Sequence, residues 1–182
     1  ESQSGELTEV GLAMYLDMLE SAVRSLKSGG DGASGAPLAG NAEVNLHLPA
    51  LLPSDYVDDV QTRLGLYKRI AAAPDAQALD DLQAEIGDRF GDLPAAATQL
   101  FHNARLTQQC RALGIRRLDV STQSSYLVFE EKNHVDPGAV IRLLQKEPRV
   151  HRMEGPLKLR IARGAEPAAR FEYAQRLLAA LR

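Results

Sequence analysis

Few side chains in the sequence have the types and spacing that chemistry requires. Gly30-x-Gly32-x-x-Gly35 matches the dinucleotide-binding fingerprint letter for letter. That motif works only between a strand and a helix whose N-terminal amides hold the pyrophosphate. Here it follows a helical pattern and precedes Pro37, so it reads as a linker. No Walker A segment is present, and this chain alone has no P-loop for nucleotide hydrolysis. His47, His102, His134 and His151 are scattered, without zinc-ligand spacing. The run Glu130-Glu131-Lys132-Asn133-His134-Val135-Asp136 can be drawn as acid, base and orienter, but it reads more simply as a charged connection to a helix cap at Asp136. Cys110 lies among apolar neighbours in a helical pattern, where a buried, unreactive thiol is expected. No catalytic residue, cofactor site or metal site is therefore expected.

A charge stripe over residues 75–91 is more informative. At 100° per residue, Leu79, Leu82, Ile86 and Phe90 fall within about 80° of one another, while Asp81, Glu85 and Asp88 fall on the opposite side, flanked by Arg89. One reading is a solvated face on which Glu85 and Arg89 pair at i, i+4. The other is an acidic face kept for a basic partner.

The elements that must position this stripe follow from composition and period. The chain has 182 residues, 21 Lys plus Arg against 24 Asp plus Glu, 45% apolar residues, one cysteine and no tryptophan. This fits one or two small domains. No uncharged apolar run approaches the roughly 20 residues that cross a bilayer. A lone cysteine and no signal-like opening place the expected compartment in the reducing cytoplasm, away from membranes.

The net charge of −3 hides a division: residues 1–93 carry sixteen acids and six bases, residues 94–182 eight acids and fifteen bases. The near-neutral total argues against a dedicated nucleic-acid binder. The basic half nevertheless leaves an alternative reading, a nucleic-acid module using Arg116, Arg117, Arg149, Arg152, Lys158 and Arg160.

Apolar periodicity predicts a helix over 9–28, then a Gly-rich flexible linker over 29–41 holding five of the fourteen glycines. Val44, Leu46 and Leu48 alternate as a half-buried strand. Three helices follow. The first opens at Ser54 or Asp55 and buries Val57, Val60, Leu64, Tyr67 and Ala71; the second is capped by Asp75 and stopped by Gly91; the third runs from Pro94 to Gly114. Strands are expected at 115–120 and 126–129, a helix from Pro137 using Val140, Ile141, Leu143 and Leu144, a strand pair at 150–153 and 157–161, and a last helix from Pro167. The mixed order predicts an α+β fold, a helical cluster packed with short, mainly antiparallel strands.

Read as strings, Leu51-Leu52-Pro53-Ser54-Asp55-Tyr56-Val57-Asp58-Asp59-Val60, Arg63-Leu64, Tyr67-Lys68-Arg69-Ile70 and Glu85-Ile86-Gly87-Asp88-Arg89-Phe90-Gly91-Asp92-Leu93-Pro94 resemble the C-terminal domain of the bacterial transcription-repair coupling factors, the Mfd family. The likeness is strong over 43–115 and looser through Glu131-Lys132-Asn133-His134-Val135-Asp136-Pro137. Glu1-Ser2-Gln3-Ser4-Gly5 resembles the end of the translocation motif that follows the helicase core in Mfd and RecG. By that resemblance, 1–28 is the tail of the motif with a connecting helix, 29–41 a linker, and 42–182 an α+β regulatory domain.

The full protein of that family is an ATP-driven double-stranded DNA translocase that displaces stalled RNA polymerase and recruits UvrA. Its motor is absent from these residues. The resemblance implies a non-catalytic, autoinhibitory domain that docks on the UvrB-like module of the same polypeptide and covers the surface UvrA uses. RNA polymerase and DNA would then be met only through the rest of the protein. It also implies that Glu85, Asp88 and Arg89 make the polar contacts to that module, and that Gln3 is the counterpart of a residue coupling ATP hydrolysis to DNA movement.

Overall fold

A computed structural model describes residues 42–182, in which the change of hydrophobic period at Ile115 marks the passage from helices to sheet. The helix expected over 9–28, the linker over 29–41 and Gln3 lie outside the described residues. The order is β1 (Glu43–Asn45), α1 (Val60–Ala72), α2 (Ala76–Phe90), α3 (Ala95–Leu113), β2 (Ile115–Val120), β3 (Ser125–Phe129), α4 (Pro137–Lys146), β4 (His151–Met153) and β5 (Lys158–Ile161). A 3₁₀ turn (Pro167–Ala169) then leads into α5 (Arg170–Ala179). The strands lie in the order β1-β2-β3-β5-β4; β1 runs parallel to β2 and the other pairings are antiparallel, so the fold is α+β as expected.

Helix α3 explains why its apolar residues are spread so widely in sequence. At 19 residues it is about 28 Å long and serves two cores. Its first half gives Ala97 and Phe101 to a helical core with Leu52, Val57, Leu66, Ile70, Leu79, Leu82 and Ile86. Its second half gives Leu106, Cys110 and Leu113 to the core beneath the sheet, with Leu118, Leu127, Leu159 and Ile161 from the strands and Ala174 and Leu178 from α5. Gly114 stops the helix in the left-handed region (φ 70°, ψ 41°), where a Cβ would stand 2.6 Å from the Asn133 Cα.

Three sequence expectations are corrected. Helix α1 begins at Val60, not at Ser54 or Asp55, because Pro53 starts a turn whose carbonyl accepts from the Tyr56 and Val57 amides, and Asp59 supplies the cap by accepting from the Thr62 amide at 2.7 Å. The buried face shifts accordingly to Leu66 and Ile70. Val57 is buried from the turn, Val60 is 47% exposed and Ala71 is at the surface. Strand β1 stops at Asn45, because His47 adopts a left-handed conformation (φ 52°) and its amide donates to Asn45 Oδ1. In α4 Ala139 is buried and Ile141 is 52% exposed, whereas the sequence pattern placed Ile141 inside.

The His102 ring of α3 stacks on Phe171 of α5 with centroids 3.8 Å apart and planes 4° from parallel. Burial, and then the nearby Arg105 charge, hold its pKa below the ordinary 6.5. The unfolded chain therefore takes up a proton near pH 6.5 that the folded domain still refuses. Stability falls as pH drops from about 6.5 toward the lowered folded value, and this group contributes no pH dependence above it. The expected result is a lower urea midpoint at pH 5.5 than at pH 7.5, with His102→Gln flattening the difference. Asp59, Glu85, Asp136, Glu147 and Glu154, all held low by their hydrogen-bond donors, act only nearer pH 4 and below.

Candidate functional site

Helix α2 is built as its sequence predicts. The Asp75 carboxylate accepts from the Ala78 amide at 2.9 Å, Leu79, Leu82 and Ile86 are buried, and Gly91 ends the helix. Gly91 has φ 90° and ψ −169°, a region open essentially to glycine alone, and its amide donates to the Gly87 carbonyl. The Tyr56 hydroxyl donates to the Gly91 carbonyl at 2.7 Å, and the Tyr56 and Phe90 rings lie 6.0 Å apart. An added Cβ at Gly91 meets nothing within 4 Å. The cost of Gly91→Ala is therefore one of backbone conformation, expected to be about 1–3 kcal/mol in urea unfolding.

The polar side of the helix is divided among neighbours. Asp80 and Gln83 face Arg105 of α3, and Asp81 accepts from Gln77 one turn earlier. Glu85 accepts two hydrogen bonds from the Arg69 guanidinium of α1, at 2.7 and 2.6 Å. That fork holds the Glu85 carboxyl below the usual range and raises Arg69. Arg89 lies 3.6 Å from Glu85 and 4.9 Å from the Phe90 ring centroid, with half of its side chain exposed. The i, i+4 pair expected from sequence is thus the looser of Glu85's two contacts, and the stronger partner is Arg69. Sixteen positions separate Arg69 from Glu85, so only the packing of α1 on α2 reveals them together. Asp88, at the outermost position of the stripe, is exposed and its side chain makes no hydrogen bond or ion pair among the described residues.

Much of the string that carries the family likeness is consumed in building this cluster. The Tyr67 hydroxyl accepts from the Leu52 amide at 2.7 Å, the Leu51 amide donates to the Ala96 carbonyl, and Arg63 donates to the carbonyls of Val57 and Asp58. Of the charges on the α2 stripe within that string, Asp88 makes no side-chain hydrogen bond or ion pair among the described residues, and Arg89 is held only by Glu85 at 3.6 Å and by the Phe90 ring.

The chemical candidates are not brought together. Asp136 turns into the N-terminus of α4, accepting from the Gly138 and Ala139 amides and from Arg142, while the His134 side chain is exposed and unpartnered among the described residues. Burial pushes the Cys110 thiol up to about 12, far from a thiolate at neutral pH. His47 Nε2 lies 2.9 Å from Asp119 Oδ1, a pairing absent from the sequence reading, with no nucleophile in the contact. Among the described residues no group of three or more His, Cys, Asp or Glu is placed to hold a metal, and no helix is long and apolar enough to cross a membrane.

This fold resembles that of a solved structure, the crystal structure of the C-terminal domain of transcription-repair coupling factor. The match has a TM-score of 0.60 at 19% identity and covers 78% of this chain and 94% of that one. A family model for the TRCF domain matches residues 46–140. The transcription-repair-coupling factor of Escherichia coli (strain K12) is 40% identical over 179 residues, covering 98% of this chain and 16% of that protein. That of Haemophilus influenzae is 38% identical over 177 residues, covering 97% and 15%. The chain belongs to the TRCF-domain family of the transcription-repair coupling factors. It spans about one sixth of the length of these relatives.

Proposed function

We propose that this domain is the autoinhibitory clamp of an ATP-dependent DNA translocase acting in transcription-coupled repair in the bacterial cytoplasm. It docks through the polar face of α2 on the UvrB-like module of the same polypeptide and masks the surface that UvrA uses. The translocase, RNA polymerase and DNA belong to the parts of the protein outside this chain. The observation that supports the reading is the state of the stripe: Asp88 is unpartnered and Arg89 loosely held, while the charges beside them are tied to α1 and α3.

Charged contacts suit a releasable latch, because they steer docking and fix register without a permanently apolar surface. With an effective concentration on the order of 1 mM and a bare contact in the micromolar range, closure is favoured about a thousandfold. That suffices to inhibit, and it leaves closure reversible by a rearrangement elsewhere in the protein. Gln3 would serve the motor rather than the latch. In the test, this chain is used to capture the isolated UvrB-like module, with and without excess UvrA. Capture that UvrA displaces is expected; capture of both proteins together would contradict masking.

A further inference from the structure

The docking reading leaves the outer face of the sheet unused. Its inner face is buried under α3, α4 and α5, with Leu118, Leu127 and Leu159 in register across β2, β3 and β5. The outer rows place Arg152, Arg160 and Tyr126 side by side, and Lys158, Val128 and Arg117 beside them. A bulge between Ile115 and Arg117 sets both Arg116 and Arg117 on one concavity of about 430 Å³, lined also by Glu43, Tyr126, Val128 and Lys158.

Too few carboxylates serve these cations. Glu43 reaches Arg117 only at 3.5 Å, Glu154 is shared by Lys158 and Arg160 at 3.2 and 3.0 Å, and Asp119 is taken by His47. Arg116 and Arg152 are exposed without a side-chain partner among the described residues, and Arg117 Nε is buried without one. Tyr126 holds two of the cations: Lys158 Nζ stands 4.8 Å and Arg117 Cζ 5.7 Å from its ring centroid. Like charges gathered on an aromatic ring, short of counter-charge, are an arrangement that an anion completes. From β2 to β4 the cations span three strand spacings, about 14 Å, enough to meet about three phosphates of an extended strand.

We propose that this sheet face binds single-stranded nucleic acid: Arg116, Arg117, Arg152, Lys158 and Arg160 meet the phosphates, and Tyr126 offers its ring edge to a base. A single strand fits better than an acidic protein because the concavity sits at an aromatic centre rather than between isolated charges. The acidic helical half opposes approach, so binding is expected at low salt and is lost as salt rises.

The test titrates the 182-residue chain into a fluorescent 20-nucleotide oligothymidylate at 25 to 200 mM salt and follows anisotropy. A slope of log affinity against log salt of about −2 is expected, from about three phosphates at about −0.7 each. Arg117→Gln with Lys158→Gln should weaken binding at least tenfold and flatten the slope. Arg116→Gln with Arg152→Gln, which breaks no contact among the described residues, should weaken it several-fold in a chain of unchanged circular dichroism. No binding at 25 mM salt, unchanged affinity in the second pair, or tighter binding of a polyglutamate probe than of the oligonucleotide would overturn the proposal.

Discussion

Replacing Arg170 by methionine lowers the stability of the domain by about 3–5 kcal/mol in urea unfolding and its melting temperature by roughly 10–15 °C. Arg170 opens α5, is 5% exposed, and has no carboxylate partner among the described residues. Its guanidinium is satisfied by oxygens from three separate segments. Nη1 donates to the Leu46 and His47 carbonyls at 2.8 and 3.3 Å, Nη2 to Thr122 Oγ1 at 2.7 Å, and Nε to the Ala165 carbonyl at 3.0 Å. The side chain thereby ties the end of β1, the β2–β3 turn and the entry to α5 together. Methionine keeps the length and removes every donor, leaving these oxygens short of partners at about 1–3 kcal/mol for each one that water does not reach. Arg170→Lys should recover part of the loss, since one ammonium cannot span the three segments. A loss under 1 kcal/mol for the methionine variant would contradict this account of the joint.

The second large effect belongs to the proposed latch. In the full-length protein, Asp88→Arg and Arg89→Glu are each expected to raise apparent affinity for UvrA by about 30-fold or more, and to raise ATPase activity, while the domain stays folded. An unpaired or reversed charge at a closed interface typically costs about 2–5 kcal/mol, against roughly 4 kcal/mol holding the latch shut. Asp88 and Arg89 are cleaner probes than Glu85, whose reversal also breaks the Arg69 fork and disturbs α1 against α2. If neither variant changes UvrA affinity, the α2 face is not the latch.

What could be read from the sequence follows physical range. Contacts within one element were visible: the Asp75 and Asp136 caps, the stop at Gly91, the buried stripe Leu79, Leu82 and Ile86, and the change of period at Ile115. Contacts between elements were not. Period alone carried the α1 pattern back through Val57, because nothing local distinguishes an apolar residue in a Pro53 turn from one in a helical first turn. Arg69 facing Glu85, Arg105 facing Asp80, and Arg170 reaching Leu46 across more than a hundred residues depend on packing. The split charge was visible as a sum. The fold shows how part of its basic half is arranged, with Arg117, Arg152, Lys158 and Arg160 in register on one sheet face.

The most direct measurement is a calorimetric titration of this chain into the isolated UvrB-like module, repeated with Asp88→Arg and with Arg89→Glu. One-to-one binding in the micromolar range is expected, weakened at least 30-fold by either reversal and weakened further as salt rises. Absence of binding at about 100 μM of each partner at two temperatures, or an affinity that both reversals leave unchanged, would contradict this docking.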